Sequence, residues 1–226
     1  HLKDANLVPI YREINLDFDN PLSVLNKINK NKHCFLLESS NGPEKWSQYS
    51  FIGFNPKMII QSYGDKIETI FEDGKKISEF GSPIKKLKKV MSQFKPAKVK
   101  NLPRFYGGLV GFFSYEIIRQ IENLPPPKLR DTNFPDCCFM LTDSVIIFDN
   151  ISKRAKIVIN VHIKNKKEYK KSYSSALKSI DKIEKMLNDA MQTPYKEKTV
   201  SKKKLKIKSN FKRDDFLKSV KKIKAY

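Results

Sequence analysis

Residues 137–150 read CCFMLTDSVIIFDN and residues 153–163 read KRAKIVINVHI. Both runs alternate apolar and other residues with period two, the signature of a strand with one face buried. Asp149-Asn150 sits in the connection between them, so the pair reads as a β-hairpin or as two long strands. Upstream, shorter runs of the same kind occur at 33–38, 48–54 (QYSFIGF), 57–63 (KMIIQSY) and 66–71 (KIETIF). Gly64-Asp65 and Asp73-Gly74 mark turns, so these runs predict an antiparallel meander. The entry segment 7–14, LVPIYREI, is extended. Helical spacing appears between these groups. Asn20-Pro21 opens a helix that carries Leu22, Leu25 and Ile28 and runs to about Asn31, with Asn20 as cap and Pro21 in the first helical position. Pro83 to Phe94 places Ile84, Leu87, Val90, Met91 and Phe94 on one face. Lys166 to Met191 places Tyr169, Tyr173, Ala176, Leu177, Ile180, Ile183, Met186 and Leu187 on another. The expected fold class is α+β: two packed antiparallel β-sheets with flanking helices.

The stretch 105–127, FYGGLVGFFSYEIIRQIENLPPP, sets Gly107, Gly108 and Gly111 among large apolar residues. Strand glycines of this kind allow a close backbone approach or a bulge. The pattern matches neither GxGxxG nor the P-loop. A helix is expected from Ser114 to Asn123, with Tyr115, Ile118 and Ile121 inward, stopped by Pro125-Pro126-Pro127. Residues 192–208, QTPYKEKTVSKKKLKIK, read as a lysine-rich linker. Residues 209–226, SNFKRDDFLKSVKKIKAY, begin a new helix, with Asp214 and Asp215 near its positive end and Phe216, Val220 and Ile223 on one face. The predicted division is one domain over 1–191, a linker over 192–208, and the first helix of a second domain over 209–226. The chain opens on His1 rather than Met and is expected to be a trimmed segment.

Composition narrows the function classes. The chain has 226 residues, 39% of them hydrophobic, with 15 Phe and 9 Tyr, enough for a sizeable core. No run approaches the roughly 18 apolar residues of a membrane-crossing helix, and HLKDANLVPI lacks the layout of a signal peptide. Three cysteines, Cys34, Cys137 and Cys138, make no disulfide framework and fit a reducing, cytoplasmic setting. His1, His33 and His162 show no ligand spacing. The formal net charge of +21 raises a nucleic-acid partner. The charge is nearly all lysine, spread along the chain, and base readout favours the planar fork of arginine. Weak, sequence-blind attraction to polyanions is the expectation, with no specific nucleic acid and no membrane as partner.

One short stretch carries the chemistry. Residues 34–43 read CFLLESSNGP. A buried strand runs into Glu38, Ser39 and Ser40 and breaks at Asn41-Gly42-Pro43. A carboxylate at the mouth of such a strand needs a positive or donor partner. It either caps the turn, pairs with a lysine such as Lys45, or meets a ligand. Leu36 and Leu37 point to opposite faces, so only one of them can touch such a ligand. Trp46, next to the turn, reads as a partly buried structural residue.

The order LVPIYREI, FLLES, KWSQYSFIGFNP, FYGGLVGFFSYEIIRQIENLP, DSVIIFDN and SNFKRDDFLKSVKKIKAY resembles anthranilate synthase component I over essentially the whole chain. The resemblance implies the N-terminal domain of that enzyme, cut just inside its chorismate-binding catalytic domain. It implies an enzyme, a lyase, that converts chorismate and ammonia to anthranilate and pyruvate in tryptophan biosynthesis. Mg2+ is then the cofactor, held by the missing domain, and a glutamine amidotransferase subunit (component II) supplies the ammonia. No catalytic, cofactor-binding or metal-binding residue is assigned within 1–226, and the chain alone is expected to be inactive. The resemblance places the LLES motif, here Leu36 to Ser39, in the feedback site for L-tryptophan, with Ser39 and Glu38 receiving the amino acid's ammonium group. Two positions depart from the family pattern. Gln48 stands where a basic residue is frequent, and Phe112 where a tyrosine is frequent. Aminodeoxychorismate synthase component I, of folate synthesis, is the nearest alternative, and a nonenzymatic basic nucleic-acid-binding protein is the alternative from another class.

Overall fold

The expected hairpin around Asp149-Asn150 forms between residues 144–149 and 154–162, but the run at 137–150 is not one strand. It divides at Asp143 into two strands that belong to different sheets. The computed structural model describes residues 5–15, 21–28, 33–38, 48–125, 134–163, 165–191 and 208–226. In chain order the elements are β1 (Leu7–Asn15), α1 (Pro21–Ile28), β2 (Cys34–Leu37), β3 (Tyr49–Phe54), β4 (Met58–Tyr63), β5 (Lys66–Phe71), β6 (Lys76–Phe80) and α2 (Pro83–Met91). They continue with β7 (Gly108–Phe113), β8 (Cys137–Thr142), β9 (Ser144–Asp149), β10 (Arg154–His162), α3 (Tyr169–Met191) and α4 (Arg213–Lys224). The chain forms two compact units, residues 1–195 and 196–226.

The first unit holds two five-stranded sheets, ordered β1-β10-β9-β3-β2 and β6-β5-β4-β8-β7. Every strand pairing within them is antiparallel. This is the expected α+β class. The predicted meander needs correction, however: β4 and β5 are neighbours and continue into β6, which the sequence reading does not mark, but β2 and β3 lie in the other sheet. The chain changes sheets between β3 and β4 at Asn55, whose φ of 49° is a left-handed conformation that asparagine tolerates better than most residues. The second change of sheet is at Asp143. Lys57 ties the two together. Its backbone N–H donates to Leu141 at 2.9 Å, and its Nζ lies 3.5 Å from Asp143 Oδ2 and 2.7 Å from Glu72 Oε2. An ionisable residue cannot continue a doubly buried apolar run without a partner, so the chain turns where the partner is.

The first sheet is covered on one face by α1 and α3. Ile52, Ile146 and Ile157 pack there against Val24, Ala176, Ile180, Ile183 and Leu187. Arg12 on β1 anchors α3 through Nη1, 2.8 Å from Asp181 Oδ1 and 2.6 Å from Glu184 Oε2. The other face carries Val145, Ile147 and Val158 against Tyr49, Phe51, Leu102, Phe105 and Tyr106. In the second sheet, Ile60, Ile67 and Leu141 pack against Leu87 and Val90 of α2.

Two helical expectations change. The segment at 114–123 is a 3-10 helix over Tyr115–Gln120, and its capping residue Ser114 makes no side-chain cap bond. Tyr115 is 83% exposed and Ile121 is also exposed, rather than inward. In α3 the buried stripe begins only at Ala176, and Tyr169 and Tyr173 are exposed. In the second unit, α4 carries Asp214 and Asp215 in its first turn, as expected from the dipole. Of the expected linker, 192–207 lie outside the described residues.

Candidate functional site

β2 is an edge strand. It pairs with β3 through Leu36↔Ile52 and Leu37↔Phe51. Leu36 enters the core beside α1 and α3, whereas Leu37 is 42% exposed. The two leucines therefore divide as strand geometry requires, and Leu37 is the one open to a ligand. Glu38 follows the strand directly and is exposed. Ser39, Ser40, Lys45 and Trp46 lie outside the described residues, so the partner of Glu38 among them is not placed.

The sheet face that carries Leu37 is partly aromatic. Leu37 shares a sheet face with Phe51, its directly opposed partner. Phe51 meets Phe105 edge-on at 5.2 Å between ring centroids and lies 6.3 Å from the Tyr49 ring. At the same end of the sheet, Tyr49 opposes Asp149. Gln48 donates from Nε2 to the Tyr49 hydroxyl at 3.0 Å and also hydrogen-bonds the Asp149 carboxylate. Position 48 is thus joined to the β9–β10 turn. Asn150 Nδ2 donates to Ser50 Oγ at 3.1 Å, and Ser50 is fully buried.

A separate cleft of about 780 Å³ lies at the other end of the first sheet, where the two sheets meet. Its walls include Met58 of β4, Met91 of α2, Phe94, and Tyr106. Its polar lining includes Lys57, Arg104, Asp143, Asn160, Glu168 and Lys171. Asn160 is 6% exposed. Its Nδ2 donates to the Tyr106 carbonyl at 2.6 Å and to the Asp143 carbonyl at 3.2 Å, while its Oδ1 has no hydrogen-bond partner. Burial pushes the Asp143 carboxyl above its usual pKa, against the opposing pull of Lys57 and the Ser144 hydroxyl. Sequence reading missed this cleft. The available signals were Asp143 in LTDSV and Asn160 in IVINV, each a polar residue interrupting an apolar strand.

Burial raises the pKa of Cys137 and Cys138, which disfavours the reactive thiolate. Among the described residues, no group of three or more His, Cys, Asp or Glu side chains is arranged to hold a metal. None of the described helices is long and apolar enough to cross a membrane.

Comparison with known proteins gives this geometry a family. Anthranilate synthase component 1 of Acetivibrio thermocellus is 36% identical over 99% of this chain and 46% of its own length. The protein of the same name from Aquifex aeolicus is 32% identical over 99% of this chain and 45% of its own. The chain thus spans about half the length of these relatives. The crystal structure of anthranilate synthase component I from Streptococcus pneumoniae TIGR4 matches the fold with a TM-score of 0.50 at 21% identity, covering 78% of this chain and 36% of that one. The profile of the chorismate binding enzymes matches residues 32–226, and the chain belongs to that family.

Proposed function

We propose that this chain is the N-terminal part of an anthranilate synthase component I. The complete protein would convert chorismate and ammonia to anthranilate and pyruvate, with ammonia delivered from glutamine by a component II partner in the cytoplasm. The observation that carries the reading is the alignment with two proteins of that name over 99% of the chain. In this proposal residues 1–191 are the regulatory domain, 192–208 the linker, and 209–226 the opening of the catalytic domain. Mg2+ would supply Lewis-acid stabilisation of the substrate carboxylate. Among the described residues no cluster fits such an ion; in this proposal its ligands and the catalytic residues belong to the remainder of the protein. The chain alone is then inactive.

The regulatory part rests on the open end of β2. Glu38 is exposed there, and an ammonium group offers it three donors. Leu37 and its opposed partner Phe51 offer an apolar surface on the same strand pair for an indole, and Ser39 is the second polar residue proposed to receive the effector. Tryptophan inhibits by binding one arrangement of the complete protein better than another, a difference of roughly 1–3 kcal/mol in typical allosteric coupling.

The test is a product assay on the complete protein that carries this chain, with chorismate, ammonia and Mg2+. Anthranilate fluorescence is the expected result, and aminodeoxychorismate in its place would move the protein to the folate branch. L-Tryptophan is then titrated against Ser39→Phe and Glu38→Gln variants. Each is expected to raise the inhibitory concentration by about tenfold or more. Unchanged inhibition in both removes the effector site from this strand end.

A further inference from the structure

We propose that the cleft where the two sheets meet binds a small carboxylate with an apolar body, its charge at Arg104 and Lys171 and its body between β4 and α2. The proposal does not depend on the effector reading, because the two sites lie apart. Phe51, the opposed partner of Leu37, faces Ile147 of β9, about 13 Å along the chain from Asp143 at the cleft. The strand that leads into Glu38 lies two strands further out in the same sheet.

Three observations carry the assignment. The first is the disposition of charge. The lining sets Lys57, Arg104 and Lys171 against Asp143 and Glu168. Lys57 is already committed: its Nζ lies 2.7 Å from Glu72 Oε2 and 3.5 Å from Asp143 Oδ2. Asp143 is thus met from within the protein, by Lys57 and by the Ser144 hydroxyl, which donates to its Oδ1 at 3.0 Å. Burial also pushes the Asp143 carboxyl upward, which eases the approach of an anion. Arg104 and Lys171 make no ion pair among the described residues. That leaves two uncommitted cations with Glu168 as the one carboxylate against them. A guanidinium offers a carboxylate two parallel N–H donors.

The second observation is the placement of α3. Ser172 and Ser175, in its first two turns, line the cleft with Lys171. Hydroxyl donors therefore accompany a cation at the end of the helix that carries partial positive charge. The third is the wall. Met58, Met91 and Phe94 line the cleft, and His162 meets the Phe94 ring edge-on with 5.0 Å between centroids. Methionines adapt to ligands of irregular shape. The volume of about 780 Å³ lies within the roughly 300–1,000 Å³ of small-molecule sites. The net charge of +21 draws any anion toward the surface. An anion without an apolar body is therefore the decisive control.

The test is calorimetric titration of the 226-residue chain with three probes. Hydrocinnamate carries a carboxylate on an apolar body, acetate has the same charge with almost no body, and phenethylammonium reverses the charge on a similar body. Saturable binding of hydrocinnamate, in the millimolar range or tighter, is expected. Acetate and phenethylammonium should each bind at least about tenfold more weakly. The double variant Arg104→Ala/Lys171→Ala should weaken hydrocinnamate about tenfold, and both side chains are exposed, so the fold is spared. Asp143→Asn removes a like charge from the lining and frees Lys57, and should tighten hydrocinnamate about threefold. Met91→Trp, which fills the cleft from an exposed helix position, should abolish binding. Equal affinity for acetate, preference for phenethylammonium, absence of saturation up to about 10 mM, or unchanged affinity in the double variant overturns the proposal. If circular dichroism shows that Asp143→Asn or Met91→Trp has lost its fold, the double variant and the two control probes still decide.

Discussion

Asp149 closes the turn between β9 and β10. Its Oδ1 accepts from the backbone N–H groups of Ile151 at 3.0 Å and Ser152 at 3.2 Å. Burial by itself raises its pKa, but these amides and the Gln48 side chain outweigh it and hold the carboxyl below its usual value. A carboxyl whose pKa falls on folding stabilises the protein above its unfolded pKa, about 3.9. That contribution is lost as the pH falls through the lower folded value. Asp149→Asn should therefore destabilise by roughly 1 kcal/mol at pH 7, with the difference from the parent shrinking in urea melts below about pH 3. The same neighbourhood gives position 48 a structural meaning. An arginine there would form a charge-assisted bond to Asp149. Gln48→Arg should raise stability by at most about 1 kcal/mol, measured by denaturant midpoint at constant slope. A gain in tryptophan affinity with no change in stability would instead place this side chain at the effector.

Elements impose their own constraints. β7 is an edge strand whose Gly111 opposes Phe139 of β8. A Cβ on Gly111 would run into the Cys138 carbonyl and the Phe139 backbone. That is the close approach the glycine-rich sequence implied. Gly111→Ala should cost about 1–3 kcal/mol, read by thermal or chemical unfolding. On α3 the period of the sequence identified the right stripe but overestimated its length. Ile180 is fully buried against the first sheet, whereas Tyr173 on the same helix is exposed. Ile180→Ala should cost about 2–5 kcal/mol, and Tyr173→Ser should stay within roughly 0.5 kcal/mol. Equal effects would mean that the helix packs along its whole length.

At the scale of the whole molecule, the charge of +21 is the feature that most invites a wrong function. Its cations are distributed over α2, α3 and α4 as well as the 192–208 segment. Binding to unrelated DNA and RNA sequences should be equal in affinity and should fall steeply as salt rises. A preference for one sequence that persists at high salt would overturn the reading of the lysines as solvated surface. The remaining whole-molecule question is the proposed feedback site. Its polar residue Glu38 stands at the end of an edge strand, where a further part of the protein can approach without breaking the sheet.

By itself the sequence marked most of the strands and helices, and the family. Period-two and helical apolar patterns depend only on neighbouring residues, and six ordered motifs are specific even when each is weak. It also marked Glu38 and Ser39 as a polar pair at a strand end. Only the tertiary structure decided which strands share a sheet. The apolar run through Asp143 looks continuous in sequence, because period two is silent about partner choice. The break falls at Asp143, which lies 3.5 Å from Lys57, more than eighty residues away in sequence. The cleft at that corner was invisible for the same reason: Asp143, Asn160 and Met91 meet only because the chain changes sheets there.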